Sequence, residues 1–291
     1  MSVIEIKNIT KYYGKTCALD KVSLKIEPNK IYGLLGRNGA GKTTLLNLVT
    51  NRLFPTEGEI TIDSENVLEN DSAIGKIFYM AEKNLYPEGM KVKDVFRWTK
   101  EFYPSFDCDY ALNLCDKFAL NPQKKIKSLS TGYNSVSKLI TALASNAEVL
   151  IFDEPVLGLD AHHRDLFYKE LLASYIEKPK TIILSTHIIE EIADILERVI
   201  IIKDKKIAVN DSVENLLKSA YCVSGPSDSI EKFIAGRNCI NIDQMASFKS
   251  AIIMGEITDA DKDTAKKLNL EFSKVELQKL FIHLTSVGGA K

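Results

Sequence analysis

The sequence predicts an α/β fold. It consists of a mixed sheet with flanking helices, an antiparallel β subdomain, a helical subdomain and a small C-terminal α/β domain. Three observations predict it. Strand-like and helix-like segments alternate from Val149 to Val209. A glycine-rich turn, GRNGAGKTT, separates a short apolar run from a helical leucine stripe. Composition shifts near Lys218, dividing the 291 residues into domains 1–217 and 218–291.

The first 62 residues read as β-rich. Ile4, Ile6 and Ile9 alternate, as do Val22, Leu24 and Ile26, and then Ile60 and Ile62. IYGLL (Ile31–Leu35) is the unbroken apolar run of a strand buried on both faces. After the glycine turn, Leu45, Leu46, Leu48, Val49 and Leu53 form one helical stripe. Residues from about 83 to 145 read as helical, interrupted at Pro87, Pro104 and Pro122. VLIF (149–152) and TIILS (181–185) are strands on either side of a helix over 161–176. In HIIEEIADILE, Ile188, Ile192 and Ile195 share a helix face, so a helix is expected there. VIIIKDKKIAV predicts a hairpin turning at Asp204-Lys205. Beyond Lys218, YCVSG and SAIIMGEI read as strands; IEKFIAG, DKDTAKKLNL and LQKLFIHLT read as helices.

Bulk composition narrows the function classes. A net charge of −1 offers no basic field for nucleic acid, so no nucleic-acid partner is expected. No apolar run approaches the ~18–20 residues of a membrane span, and the first residues do not read as a signal peptide. The five cysteines are scattered without a CxxC pair, which supports neither a zinc site nor a disulfide framework and suits a reducing cytosol.

GRNGAGKTT (Gly36, Arg37, Asn38, Gly39, Ala40, Gly41, Lys42, Thr43, Thr44) matches the phosphate-binding P-loop, G-x-x-x-x-G-K-[ST], in its required strand–turn–helix context. The glycines let successive N–H groups face a phosphate, and the helix starting near Lys42 adds its positive dipole end. Lys42 would reach the β- and γ-phosphates, and the Thr43 hydroxyl would ligate Mg²⁺. The fold class is therefore that of a P-loop NTPase core. At the end of VLIF, Asp153 is placed to hold Mg²⁺ through water, and Glu154 to polarise an attacking water as general base.

Taken together, these motifs resemble the ATP-binding subunit of an ABC transporter, over about residues 1–217. The resemblance implies that Tyr13 stacks on adenine, with Tyr12 as the competing choice. EPVLGLD resembles the D-loop, so Asp160 would contact the partner subunit's site. STH resembles the switch region, so His187 would touch the γ-phosphate. The neighbouring pair His162-His163 is expected at a helix start, on the solvated surface.

Two stretches depart from the family pattern. The glutamine that ligates Mg²⁺ in the family is missing from IFYMAEKNLYP, where Glu82 is the candidate replacement. The signature loop, Leu-Ser-Gly-Gly-Gln in the family, reads LSTGY here: Ser130 and Gly132 match, Thr131 and Tyr133 do not. Ser130 and Gly132 would bind the ATP of the opposite subunit; Ser130 as a plain helix N-cap is the competing account. The resemblance implies an ATPase using ATP and Mg²⁺. It would pair as a homodimer or with a sister chain, and work on the inner face of the cell membrane through separate permease subunits. Export is the expected direction, because the glutamine-less loop resembles exporter-type subunits. A soluble ABC ATPase and an ATP-sensing regulatory subunit are the alternatives.

Overall fold

The computed structural model describes residues 2–285; residues 286–291 of the expected C-terminal domain lie outside the described residues. Two compact units emerge. One holds the residues up to His187 together with Arg198–Asn210, the other Ile188–Glu197 together with the residues from Asp211 on.

The first unit opens with strands β1 (Ile4–Tyr13), β2 (Thr16–Ile26) and β3 (Ile31–Gly36), then helix α1 (Lys42–Val49). Next come β4 (Glu57–Ile62), β5 (Glu65–Asn66), α2 (Asp71–Ile74) and β6 (Ile77–Met80). Helices α3 (Val92–Phe102), α4 (Cys108–Lys117) and α5 (Thr131–Ala144) occupy the stretch expected to be helical. The unit continues through β7 (Val149–Asp153), α6 (Ala161–Glu177), β8 (Thr181–Ser185), β9 (Arg198–Lys203) and β10 (Lys206–Ser212).

Two sheets form its core. β2-β1-β4-β5 is antiparallel. β10-β9-β3-β8-β7-β6 is parallel from β9 through to β6. Every residue of β3, β7 and β8 is buried, as their continuous apolar runs require of strands covered on both faces. Ile4, Ile6, Leu24, Ile60 and Ile62 of the antiparallel sheet pack with α1 and with one face of the second sheet. Asp204 and Lys205 both take positive φ, 49° and 68°, the geometry of a two-residue hairpin turn. The β9–β10 turn thus falls where the sequence placed it.

The expected helix through HIIEEIADILE does not form. Two single turns of 3₁₀ helix stand in its place, Ile189–Glu191 and Ala193–Ile195. No side chain caps either turn, and the stretch is rich in β-branched isoleucine, which loses side-chain freedom in a helix. The buried residues are Ile189, Ile192 and Leu196 rather than the predicted Ile188, Ile192 and Ile195.

The second unit contains α7 (Val213–Lys218), β11 (Ala220–Pro226), α8 (Ser227–Ile234), β12 (Cys239–Met245) and β13 (Phe248–Met254). It ends in α9 (Asp259–Leu268), β14 (Glu271–Ser273) and α10 (Leu277–Thr285). Its sheet order is β12-β13-β11-β14, so β11 to β14 with α8 and α9 make a βαββαβ, ferredoxin-like unit. Tyr221, Val223, Ile230, Phe233, Ala251 and Ile253 form its core. The sequence reading missed β12 and β14. β14 is three residues long, and the β12–β13 turn, Ala246-Ser247, lacks the usual Gly or Asn although Ala246 has φ 54°.

A polar knot fixes α9. The Thr258 hydroxyl accepts from the Asp261 N–H, and the Asp261 carboxylate accepts from the Thr258 N–H, a capping box. Asp261 also accepts from Arg237 at 2.6 Å. The Arg237 guanidinium, followed by the Thr258 hydrogen bonds, holds the Asp261 carboxyl at about 2, below its ordinary 3.8. The sign follows from that depression: the contribution is complete above about pH 4 and fades as pH falls toward 2. Asp261→Asn is expected to cost about 2 kcal/mol locally at neutral pH. Amide hydrogen exchange on α9 of the full chain checks this; unchanged α9 protection would refute it.

Candidate functional site

The end of β3 and the start of α1 enclose the P-loop. Gly41, the residue before α1, has φ 111°, and a Cβ there would stand 2.7 Å from Leu19 Cδ2 and 2.8 Å from the Ala18 carbonyl oxygen. Only glycine fits that turn. Because glycine also carries no capping side chain, no side chain caps the first turn of α1, which leaves it suited to an anion. Lys42 is buried and donates to the Gly36 carbonyl at 2.7 Å. Burial pushes its ammonium pKa down, while the charges of Glu154 and Asp153 act the other way.

A cleft of about 430 Å³ opens over this turn. Asn38, Gly39, Gly41, Lys42, Thr43 and Thr44 line it from the P-loop side; Asp153, Glu154, His187 and Glu82 line it from the others. The structure thus brings together four predicted groups that lie far apart in the chain. Parallel pairing explains how: β7 and β8 lie side by side, so Asp153-Glu154 and His187 emerge at the same sheet edge. Asp153 is buried and accepts from the Thr43 hydroxyl at 2.8 Å. The Glu154 carboxylate lies 2.9 Å from His187 Nδ1. The Glu154 backbone has φ 51°, a left-handed conformation uncommon outside glycine, and its N–H donates to the Ser185 carbonyl at 2.8 Å.

Tyr13 stands apart. It is half exposed at the end of β1, with Lys11 Nζ 5.5 Å above its ring, and it does not line the cleft. Ala18, on the neighbouring strand β2, does.

Ser130 to Tyr133 of LSTGY form the start of α5 and line a second cleft of about 370 Å³, together with Gly158, Asp160 and His163. Ser130 is the N-cap of α5, accepting from the Tyr133 N–H at 3.3 Å. Asp160 is the N-cap of α6 and accepts from the His163 N–H at 2.9 Å. No residue lining this cleft lines the P-loop cleft.

The expectation of a solvated His162-His163 pair holds for His162 only. The His163 side chain is 20% exposed, its Nδ1 lies 2.9 Å from the Asp160 carboxylate, and its ring packs against Phe118 and Tyr133. Phe118 and Tyr133 lie far from His163 in the chain, and the fold brings them to its ring.

Sequence reasoning also missed Tyr79. Its hydroxyl donates to Asp153 at 3.3 Å while Arg52 sits 4.9 Å above its ring. Burial, then the Asp153 charge, raises the phenol pKa, so it stays protonated and serves as a donor. The available signal was its place in IFYM, one strand over from Asp153.

The sequence model of the ABC transporter family matches residues 19–157. The ABC transporter ATP-binding protein YtrB of Bacillus subtilis is 27% identical over 252 residues, 86% of each chain. An uncharacterized ABC transporter ATP-binding protein of Methanocaldococcus jannaschii, MJ1023, is 33% identical over 225 residues, covering 75% of this chain and 81% of that one. This chain belongs to the ABC transporter ATP-binding family. It is an ATPase subunit of the ABC type, with the family's P-loop fold. Among solved structures, the dimeric bacterial cassette MJ0796 superposes with a TM-score of 0.65 at 26% identity, covering 72% of this chain and 98% of that one. ABC ATPases bind ATP, and ABC cassettes occur as dimers of the kind seen in that structure. No helix among the described residues is long and apolar enough to cross a membrane.

Proposed function

We propose that this ABC ATPase hydrolyses Mg·ATP in a head-to-tail pair and drives separate membrane-spanning permease subunits, in the direction of export. The observation that carries the reading is the meeting of Thr43–Asp153 and Glu154–His187 in one cleft over the P-loop. Backbone N–H groups of Gly36–Thr44 cradle the phosphates, and Lys42 leaves the Gly36 carbonyl to meet them. Adenine stacks on Tyr13, whose ring is half exposed at the end of β1.

The donor set suits Mg²⁺: the Thr43 hydroxyl and the Asp153 carboxylate already touch, and Glu82 lines the same cleft. When bound, that ion neutralises phosphate charge. Tyr79 and Thr43 orient Asp153 by donating to one of its oxygens. Glu154 takes a proton from the attacking water, and His187, in contact with Glu154, faces the γ-phosphate. Ser130 and Gly132 hold the partner's ATP, and Asp160 reaches the partner's site. Separation of the two clefts in one chain supports that division of labour.

A further cleft of about 330 Å³ fits the permease contact. Trp98 and Phe102 on α3 and Leu85 line it and stay exposed, as apolar surface awaiting a protein partner does. The chain would then sit at the cytoplasmic face of the membrane, as a homodimer or beside a sister ATPase. Proteins named for import and for export both occur among similar chains, so the export reading rests on the loop IFYMAEKNLYP, which holds Glu82 and no glutamine.

The test is purification of the tagged chain from its native membranes. Permease subunits are expected to come with it, and vesicles holding the complex are expected to move substrate away from the ATP side. Recovery of the chain without any membrane-spanning protein would favour a soluble ABC ATPase instead.

A further inference from the structure

Helix α5 begins at the loop assigned to the partner's ATP, yet its buried face holds two walls of the chain's own nucleotide cleft. Ser135 and Lys138 lie three residues apart, on one side of the helix. Both are buried, although the surrounding run, VSKLITALA, is otherwise largely apolar. The Ser135 hydroxyl donates to the Leu157 carbonyl at 2.9 Å. The Lys138 ammonium donates to the Ala81 carbonyl at 3.0 Å and to the Glu82 carbonyl at 2.6 Å. Leu157 and Glu82 are both lining residues of the P-loop cleft. Leu157 follows Glu154 by three residues, and its N–H donates to the Glu154 carbonyl.

A buried ammonium is an expensive way to hold two neutral carbonyls, since an apolar residue would fill the space without desolvating a charge. What it adds is a stiff, charge-assisted link between a helix and a loop. Ser135 adds a second link on the other side of the cleft. A shift or rotation of α5 therefore cannot leave the loops of Glu82 and Leu157 where they were.

We infer that Ser135 and Lys138 are positioning residues that couple the two ATP sites of a pair. Seating of the Ser130 end of α5 on the partner's ATP draws the Glu82 and Leu157 loops into their working positions around the chain's own ATP. The inference rests on the paired-ATPase reading above. It goes beyond that reading by naming the side chains through which one site reports to the other.

The test uses the full chain: steady-state turnover against Mg·ATP concentration, and calorimetric binding of Mg·ATP to the dilute, unpaired protein. Wild type is expected to show a Hill coefficient approaching about 2, the number of sites in the pair. Ser135→Ala and Lys138→Met are each expected to bring it to about 1, with half-saturation raised roughly fivefold for loss of the neutral hydroxyl bond and roughly tenfold for loss of the charge-assisted one. Binding by the unpaired chain is expected to stay within about twofold, because the P-loop is untouched. Ser135→Thr keeps the hydroxyl and is expected to keep the wild-type coefficient, which separates the link from a packing effect. Ser135→Ala removes one oxygen and guards against a Lys138 variant that does not fold.

Cooperative turnover that survives both substitutions would overturn the inference. So would a wild-type coefficient of about 1 in a protein whose turnover still depends on Mg·ATP and on Glu154. Turnover that persists undiminished in Glu154→Gln would instead overturn the ATPase mechanism beneath it. The two failures are thereby distinguishable.

Discussion

Glu154→Gln is expected to lower Mg·ATP turnover about 10³-fold while leaving nucleotide binding intact. The amide has the size and reach of the carboxylate, and its oxygen can accept from His187 Nδ1 across the same 2.9 Å contact. What it lacks is basicity, so the attacking water keeps its proton as the bond to phosphorus forms. General-base contributions of this kind span ~10²–10⁴-fold, and a partly buried, partnered carboxylate one residue past a rigid strand belongs in the middle of that range. Binding is held elsewhere, by the P-loop amides, Lys42 and Thr43, none of which the substitution touches. The variant should accumulate as an ATP-bound pair, because closure occurs but hydrolysis does not follow. Single-turnover kinetics and light scattering in Mg·ATP measure both halves of this expectation. Turnover within tenfold of wild type would remove Glu154 from the base role.

Gly132→Ala is expected to lower turnover about 10²-fold without weakening ATP binding by the unpaired chain. Its Cβ would stand 2.8 Å from the Gly158 carbonyl oxygen, closer than carbon and oxygen tolerate. Gly158 cannot retreat easily: it has φ 80°, and its own Cβ position lies 3.0 Å from Thr131 Cγ2. The methyl group must therefore push the start of α5 away from the loop that carries Asp160. A displacement near 1 Å at a phosphate-binding element costs on the order of 10²-fold in rate. The neighbouring P-loop cleft shares no lining residue with this contact, so affinity for the chain's own ATP should be unaltered. A variant with reduced affinity in the unpaired state would show that LSTGY serves the chain's own nucleotide, contrary to the division of sites proposed above.

Most of the site was legible because its chemistry is written in local strings. IYGLL followed by GRNGAGKTT specifies a buried strand, a phosphate turn and a helix start within 14 residues of one another. Asp153-Glu154 and His187 could be read because each ends an apolar run, and parallel strands deliver their ends to one edge. The residues that were missed act across the fold rather than along the chain. Lys138 was visible only as a charge inside an apolar helix, and nothing local says that its partners are carbonyls 56 and 57 residues away. Tyr79 looks like any strand tyrosine until β6 is laid beside β7. His163 reads as surface until Phe118 and Tyr133 arrive from other helices. The failed helix at 188–196 teaches the complementary lesson. Apolar spacing in a short isoleucine-rich run shows that residues are buried, but caps and side-chain entropy decide whether the backbone coils as α-helix.

The left-handed backbone at Glu154 has a further consequence, for anyone who would engineer this chain. Glycine, asparagine or aspartate would sit at φ 51° with less strain than glutamate. A search for more heat-resistant variants, blind to chemistry, would therefore favour replacing this residue and would return a sturdier protein that no longer turns over ATP. Thermal hardening of this scaffold should begin by holding position 154 fixed.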